Sequence, residues 1–498
     1  MITSIKHNMD YSGIKALVMG LGLHGGGLAS ARFLLKRGAE VTVTDLRDEK
    51  ILLPSIEELD ASCRLMERKP VRYILGKHEI EDFKNADIVI KNPGVKPDSP
   101  FLLAAKQIET DLSLFLSESQ ARLFAITGTK GKSGTSSALH WILSYERKAG
   151  KAFLGGNITV SPLTFLDELS KDDDVVLELS SFQLGDIKNR KKKDGSALLK
   201  PDAAIITAIM NDHMDRYVSM EDYIDDKKNI CRGQDASCVT IAGDDEWGRS
   251  FHAETKGRPL VRSRSHDLHS ALGENPSGGW IDNNGIGFAR LLSKDFPVSR
   301  NDEVTELVPQ KLLVPGEHQK LNMLSAALAA YSLGVKAETI RSASASYRGI
   351  EHRLEFFHKA DGIRFYNDSA ATIPEAAAAC IEALSAGLPS HNGLILVTGG
   401  TDKNLDFSPL ADAAKKVKNI ILLSGTGSEK LARMLGGTGI SFIGPFDSLD
   451  KAVNHAVEKA SAGDTVALSP GCASFGMFLN EFDRGRKWKE AILKRIIK

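Results

Sequence analysis

The chain has 498 residues, of which 42% are hydrophobic and 26% charged, a composition typical of a globular protein with several domains. Lys plus Arg and Asp plus Glu each number 64, so no net charge would draw the chain to nucleic acid or to an anionic membrane. The five cysteines form no CxxC pair, no apolar run reaches membrane-spanning length, and the first residues carry no signal-peptide core. We therefore expect a cytoplasmic protein with reduced thiols, no nucleic-acid partner and no membrane insertion.

Apolar runs alternate with helical patterns along almost the whole chain. Most runs are unbroken, as is typical of parallel strands that are covered on both faces. The predicted strands are 16–19, 41–44, 88–90, 123–127, 175–179, 203–207, 362–366, 394–397, 420–423 and 465–468, and the predicted helices between them include 29–37, 136–145, 325–333 and 374–384. Repeated βα units predict doubly wound α/β domains. Boundaries near 118–122 and 347–350 divide the chain into three predicted domains, 1–120, 121–348 and 349–498.

Two polar stretches interrupt this pattern. Residues 188–200 are rich in lysine, which predicts a solvated loop. Residues 262–301 are rich in Ser, Asn, Gly and Asp and have few long apolar runs. This second stretch predicts a surface excursion or a small antiparallel unit, to which we assign no function.

A glycine turn follows the first predicted strand. Gly20, Gly22 and Gly25 fit the GxGxxG pattern, and Asp45 ends the next strand. This arrangement is typical of dinucleotide-binding domains, in which the acid binds a ribose hydroxyl. An NAD-linked oxidoreductase is therefore one possible function, although any nucleotide diphosphate could use the same turn.

A second phosphate-binding pattern follows the strand at 123–127. Residues 126–133 read Ile-Thr-Gly-Thr-Lys-Gly-Lys-Ser and precede a helical pattern, although Ile126 stands where the first glycine of a standard P-loop belongs. Glycines let backbone N–H groups turn toward a triphosphate, and the helix N-terminus adds partial positive charge. Lys132 can reach the terminal phosphates, and the Ser133 hydroxyl can hold Mg²⁺. Two phosphate cradles in one chain favour an enzyme that uses ATP on a substrate which itself carries a nucleotide.

Two polar segments follow later strands of the same predicted domain. Glu178 ends the run 175–179, and His213 follows the run at 203–207. Ligand sites of α/β domains form at the carboxyl ends of strands. A carboxylate and an imidazole in that position can ligate a divalent metal beside the triphosphate.

Together these motifs resemble the Mur ligases of peptidoglycan synthesis. The resemblance covers nearly the whole chain and includes the segments 128–133, 178–184, 212–217, 316–322, 352–353, 367–369, 399–403 and 469–474. It implies a three-domain protein with a Rossmann-like UDP-binding domain, a central P-loop ATPase domain and a C-terminal Rossmann-like domain that binds ATP and the amino acid. It also implies ATP-dependent joining of glutamate to UDP-N-acetylmuramoyl-L-alanine through an acyl phosphate. A monomer is expected.

The resemblance implies roles for particular residues. Lys132 would contact the γ-phosphate, Ser133 and Glu178 would hold one Mg²⁺, and His213 would help to hold a second. Lys227 matches the family lysine that reacts with CO₂ to give a carbamate, a carboxylate-like metal ligand. The residues implied to bind ATP are Gly128, Thr129, Lys130, Gly131, Lys132, Ser133, Asn322, Arg353 and Asp368. Those implied to bind the UDP-linked substrate are Leu23, His24, Asp45, Arg47, Asn92, Gly94, Asn157 and Ser180, and those implied to bind the amino acid are Thr372, Lys403 and Ser474.

The chain departs from the family pattern at several positions. Lys130 stands where many relatives have Asn, and Gly134 where they commonly have Thr. Ala370 replaces a lysine and Glu481 an aromatic residue, both where the incoming amino acid is chosen. D-glutamate is favoured as that amino acid, and L-glutamate or another amino acid stays open. An NAD-linked oxidoreductase, a P-loop nucleotide switch and a folate-adding member of the same superfamily fit fewer of these motifs.

Overall fold

The computed structural model describes residues 9–22, 25–158, 160–265, 276–296, 302–386, 388, 393–436 and 438–497. The chain packs as two units, Met1–Val308 with Leu321–Ala343, and Pro309–Lys320 with Ser344–Lys498. Three separate sheets lie in residues 15–109, 122–308 and 355–468. The domain boundaries at 120/121 and 348/349 stay a prediction. No helix among the described residues is long and apolar enough to span a bilayer.

The N-terminal sheet is wholly parallel, with the strand order β3-β2-β1-β4-β5. Its elements are β1 (Lys15–Met19), α1 (Gly26–Lys36), β2 (Glu40–Asp45), α2 (Glu49–Leu65), β3 (Arg72–Leu75), α3 (Ile80–Asn85), β4 (Ile88–Lys91), α4 (Pro100–Leu103), β5 (Ile108–Glu109) and α5 (Asp111–Glu118). Successive residues of β1 are buried on opposite faces, Val18 with Leu34 and Leu17 with Phe83. The strand order reverses between β1 and β4, which is where an open α/β sheet leaves a ligand-binding crevice.

The central sheet has the order β14-β13-β12-β11-β10-β9-β6-β8-β7, and it is parallel from β7 to β12. Its elements are β6 (Arg122–Thr127), α6 (Lys132–Ser144), β7 (Ala152–Gly156), β8 (Asp174–Glu178), α7 (Ser181–Asp186), β9 (Ala203–Ile206), α8 (Met220–Arg232), β10 (Val239–Gly243), α9 (Glu246–Glu254), β11 (Arg258–Ser263), β12 (Gly278–Ile281), β13 (Gly287–Arg290), β14 (Thr305–Val308), α10 (Glu317–Ser332) and α11 (Ala337–Ser346). The strands β12, β13 and β14 pair antiparallel at one edge, so the antiparallel unit predicted within 262–301 is present as an extension of this sheet.

The C-terminal sheet has the order β15-β16-β20-β17-β18-β19, and β15 is its antiparallel edge strand. Its elements are β15 (Glu355–Ala360), β16 (Ile363–Asn367), α12 (Pro374–Ser385), β17 (Leu394–Thr398), α13 (Ser408–Ala413), β18 (Asn419–Leu423), α14 (Thr426–Leu435), β19 (Phe442–Phe446), α15 (Leu449–Glu458), β20 (Thr465–Leu468) and α16 (Glu481–Ile496). Every strand and helix that the sequence predicts is present, with ends that differ by a few residues, except that α10 begins well before the predicted 325. The three-domain α/β fold class is therefore confirmed.

Candidate functional site

The glycine-rich loop between β6 and α6 forms a phosphate cradle. Gly128 and Gly131 have φ angles of 145° and 93°, and Gly131 caps α6 in a left-handed conformation. A Cβ at Gly128 would lie 2.0 Å from Thr207 Oγ1, and one at Gly131 would lie 2.6 Å from Asn322 Oδ1. The loop therefore requires glycine at both positions, and it leaves the N-terminus of α6 open to an anion.

Two lysines meet at one carbonyl of this loop. Lys132 Nζ donates to the carbonyl oxygens of Gly128 at 2.9 Å and Thr129 at 3.0 Å, and Lys227 Nζ donates to Gly128 O at 3.0 Å. Burial lowers the pKa of Lys132, opposed by the charges of nearby carboxylates. Burial and then the positive charge of Lys132 lower the pKa of Lys227 to about 7. About half of the Lys227 side chains are therefore neutral at pH 7, whereas an ordinary lysine is almost wholly charged.

The other residues of the cradle occupy different environments. The Thr129 hydroxyl lies 2.9 Å from Tyr223 Oη and donates to Met210 O at 3.1 Å. Lys130 is exposed, and Ser133 is the half-buried second residue of α6. Thr129 thus holds the loop in place, whereas Lys130 and Ser133 keep their side chains accessible.

Glu178 ends β8 beside the cradle. It is 2% exposed, and its Oε1 accepts from Asn157 Nδ2 at 3.1 Å. Its Oε2 is buried and has no hydrogen-bond partner within the described part of the chain. A buried carboxylate oxygen left free near a phosphate cradle fits a divalent cation, which prefers oxygen ligands. Ser180, two residues later, caps α7, and its Oγ accepts from Gln183 N at 3.2 Å.

His213 lies in the loop after β9. It has a positive φ of 57°, and its backbone N–H donates to Asp212 Oδ1 at 3.0 Å. Its ring contacts that of Phe182 and lies 6.2 Å from that of Tyr223, whose ring centroid is 4.4 Å from Lys227 Nζ. His213 and Lys227 therefore border the same tyrosine ring, and the half-exposed imidazole is available to a ligand.

The N-terminal crevice lies between the ends of β1 and β4. Asp45 accepts from Gly22 N at 3.1 Å and from Arg47 N at 2.9 Å, so it shapes the glycine turn through both oxygens. Asn92 Oδ1 accepts from Gly94 N at 3.1 Å, and a Cβ at Gly20 would lie 3.7 Å from the Cβ of Asn92. Asp45 and Asn92 therefore both lie at the glycine turn after β1, Asp45 beside Gly22 and Asn92 beside Gly20. Leu23 and His24 lie outside the described residues.

In the second unit, Asp368 and Thr372 follow β16, Ser474 follows β20 and Lys403 follows β17, which are adjacent strands, whereas Arg353 lies just before β15. Asp368 accepts from Leu354 N at 3.0 Å and from Ser469 Oγ at 2.7 Å, and burial raises the pKa of this carboxyl to about 6. Ser474 is buried, whereas Lys403 is exposed. Arg353 is exposed and lowers the pKa of Asp368 slightly against burial, and Thr372 is half-buried.

Arg484 of α16 organises these loops, and the sequence analysis did not identify it. Its guanidinium is buried and donates to Ser369 Oγ at 3.0 Å, Ser369 O at 2.8 Å and Cys472 O at 3.1 Å. It therefore joins the loop after β16 to the loop after β20. An arginine among the charged residues of an amphipathic helix gives no sequence signal of such a role.

Three family models match the chain: the Mur ligase MurD-like N-terminal domain over residues 14–112, the Mur ligase middle domain over 126–330, and the Mur ligase glutamate ligase domain over 352–472. The crystal structure of the UDP-N-acetylmuramate-alanine ligase MurC from Thermotoga maritima has the same fold, with a TM-score of 0.53 at 20% identity over 97% of this chain and 100% of that one.

Two relatives are similar over nearly their full length. A UDP-N-acetylmuramoylalanine–D-glutamate ligase of Treponema pallidum is 38% identical over 95% of this chain and 96% of that protein. A protein of the same name from Borreliella burgdorferi is 38% identical over 97% and 98%. The chain belongs to the Mur ligase family.

Proposed function

We propose that this protein joins D-glutamate to UDP-N-acetylmuramoyl-L-alanine, with ATP converted to ADP and phosphate, in the synthesis of peptidoglycan precursors. The observation that carries the proposal is the meeting of Lys132, Lys227 and the free Glu178 oxygen at the P-loop, in a chain whose relatives bear the name of this ligase. An NAD-linked oxidoreductase leaves all three residues without a role.

The chemistry needs an activated carboxylate. A carboxylate oxygen of the muramoyl-alanine attacks the γ-phosphorus, and ADP leaves, which gives an acyl phosphate. The glutamate amine then attacks the acyl carbon, and phosphate leaves from the tetrahedral intermediate as the amide forms. Lys132, freed from the Gly128 carbonyl, places its ammonium at the transferred phosphoryl group and offsets the charge that gathers there.

The carboxylate and imidazole beside the cradle fit two Mg²⁺ ions. Glu178 and Ser133 would hold one ion, and His213 and carbamylated Lys227 would hold the other. When bound, Mg²⁺ neutralises charge on the phosphate oxygens. An ammonium at Lys227 would repel that ion, whereas a carbamate carries the opposite charge. The low pKa of Lys227 supports this assignment, because only a neutral amine combines with CO₂.

The remaining residues divide between the substrates. We assign Asp45, Arg47, Asn92 and Gly94, with Leu23 and His24, to the UDP part, and Asn157 and Ser180 to the muramoyl-alanine part. The P-loop residues Gly128 to Ser133 hold the phosphates of ATP, Asn322, Arg353 and Asp368 hold its adenosine and phosphates, and Thr372, Lys403 and Ser474 hold the glutamate carboxylates. We propose that the protein works as a cytoplasmic monomer, and that Ala370 and Glu481 leave D-glutamate as the preferred amino acid.

Phosphate release with a panel of amino acids tests the proposal. The purified protein, ATP, Mg²⁺ and UDP-N-acetylmuramoyl-L-alanine should release phosphate with D-glutamate and far more slowly with L-glutamate, D-aspartate or glycine. Release that does not depend on any amino acid would indicate a P-loop switch instead. A faster reaction with another amino acid would keep the ligase and overturn the choice of D-glutamate.

A further inference from the structure

A buried ion pair joins the N-terminal sheet to the central domain within the first unit. Lys91 Nζ donates to both oxygens of Asp186, at 2.7 and 2.6 Å. The two side chains are only 3% and 7% exposed. The residues are 95 positions apart in sequence, so the contact exists only in the folded protein.

Such a pair is a poor source of stability. Burial lowers the pKa of Lys91 and raises that of Asp186, so desolvation works against both charges. Apolar residues of similar volume often replace a buried ion pair at no cost in stability, and in some proteins such a pair instead fixes one defined geometry. The segments next to Lys91 and Asp186 should therefore show which parts of the protein the pair holds in place.

Each partner lies next to a segment of the proposed site. Lys91 is the last residue of β4 and directly precedes Asn92 of the substrate loop. Asp186 is the last residue of α7, and this helix begins just after Glu178 at the cradle. The pair therefore connects the loop proposed to hold the UDP-linked substrate with the strand end proposed to hold a metal ion.

A second contact fixes the other end of the same loop. Arg216 donates to Gly94 O at 3.2 Å and to Val95 O at 3.4 Å, and its guanidinium lies 3.7 Å from the ring centroid of Phe182 on α7. The short loop after β4 is thus attached to α7 at two points, directly by Asp186 and through Arg216 by Phe182. Rotation of the loop about a single contact is prevented.

The same helix reaches Lys227. A Cβ at Gly185 would lie 2.5 Å from Asp226 Oδ2, which shows how closely α7 packs on α8. Asp226 directly precedes Lys227 on α8. A displacement of α7 would therefore shift the substrate loop, Glu178 and Lys227 together.

We propose that Lys91 and Asp186 are positioning residues, which fix the distance between the substrate loop and the phosphate cradle so that the alanine carboxylate meets the γ-phosphate. This proposal rests on the proposed function. Neither residue is among those proposed to bind the UDP-linked substrate. Loss of the pair should therefore lower kcat more than it weakens substrate binding.

The test uses the full chain and an apolar replacement of the pair. The double variant Lys91→Met/Asp186→Leu should melt within a few degrees of the wild type and bind ATP normally, and its kcat should fall about tenfold or more, because small misplacements of reacting groups are costly. Its Kd for the UDP-linked substrate should change less than about threefold. The single variant Lys91→Arg, which keeps a cation opposite Asp186, should retain part of the activity that the double variant loses.

A matched control removes another link between the same two domains. Lys36 and Arg37, at the end of α1 remote from the glycine turn, both pair with Asp167 of the central domain. The variant Lys36→Met removes the exposed pair with Asp167 and leaves Arg37 bonded to both Asp167 and Glu118, so it should keep kcat within about twofold of the wild type, because exposed ion pairs contribute little. An equal loss of kcat in this control, or an unchanged kcat in the Lys91/Asp186 variant, would overturn the proposal.

A second measurement does not depend on ligase activity. UDP should slow hydrogen exchange in residues 181–186 of the wild type by about twofold or more, and should have no such effect in the Lys91→Met/Asp186→Leu variant. Absence of the effect in the wild type would refute the coupling. Failure of the wild-type protein to release phosphate would instead refute the proposed function, so the two failures can be told apart.

Discussion

Replacement of Lys227 should separate a carbamylated lysine from an ordinary buried one. Lys227 is 1% exposed, its Nζ donates to Gly128 O at 3.0 Å, and it lies beside Lys132 at the cradle. Lys227→Ala removes the proposed carbamate, and Lys227→Arg keeps a positive charge that cannot be carbamylated. Both variants should lose activity, whereas only the first leaves space for a small carboxylate.

The environment of the Lys227 amine determines how much of it is in the neutral form that reacts with CO₂. Burial and the charge of Lys132 lower the pKa of Lys227 from 10.5 to about 7. At pH 7 about half of these side chains are neutral, against roughly one in 3,000 for an ordinary lysine, so the form that reacts with CO₂ is about a thousandfold more abundant. Below pH 7 the neutral fraction falls by up to about tenfold per pH unit, and activity in CO₂-limited buffer should fall with it.

Phosphate release and ¹³C NMR with labelled bicarbonate measure the outcome. Lys227→Ala should lower kcat by about 100-fold, as the loss of a metal-site group does, and formate or acetate should restore part of it. Lys227→Arg should not be restored. The neighbouring Lys228, which pairs with Glu254, gives the matched control, and Lys228→Ala should be active and keep the ¹³C signal. A fully active Lys227→Ala with an inactive Lys228→Ala would show that the wrong lysine was assigned.

Three further predictions follow from the cradle, the N-terminal crevice and the second unit. Lys132→Ala should lower kcat by roughly two to three orders of magnitude, the cost of a lost transition-state charge contact, with an unchanged melting temperature, and near-normal turnover in the folded variant would remove the P-loop assignment. Calorimetry on the full chain should detect binding of UDP and none of NAD, and the reverse result would revive the oxidoreductase. The raised pKa of Asp368, about 6 when folded against 3.8, means that its contribution to stability is present below pH 4 and is lost as pH rises to 6. Asp368→Asn should therefore gain up to about 3 kcal/mol relative to the wild type above pH 6 and nothing below pH 4, and a pH-independent difference in denaturant midpoints would contradict this.

Strands with an unbroken apolar centre and burial on both faces were predictable. All five residues of β8 are buried, and five of the six of β6, and their apolar runs are 175–177 and 123–126. Several strands were not predicted, among them β3 and β19 at sheet edges, where each keeps several positions exposed or half-exposed. The strand β10 was also missed, although all five of its residues are buried between β9 and β11, because Thr240 interrupts its apolar run. The sequence therefore identified strands by their apolar runs and missed those in which the run is interrupted or partly exposed.

The residues of the candidate site also differ in whether the sequence could identify them. The P-loop is a local motif, so Lys132 and Ser133 could be identified from adjacent residues. Lys91 and Asp186 could not, because a lysine at the end of a strand and an aspartate at the end of a helix are ordinarily solvent-exposed. Their role depends on a contact across 95 residues, which only the packing of α7 beside β4 creates.

The Gly128 carbonyl explains why the two lysines of the cradle should carry different charges. It accepts from Lys132 Nζ and Lys227 Nζ, at 2.9 and 3.0 Å, so two ammonium groups would share one oxygen in a buried place. The positive charge of Lys132 lowers the pKa of Lys227, whereas the Glu178 carboxylate opposes the effect of burial on Lys132. The proton therefore leaves Lys227 first. Lys132 remains the cation that a triphosphate needs, and neutral Lys227 is free to combine with CO₂, so the division of charge is set by the cradle itself before any substrate binds.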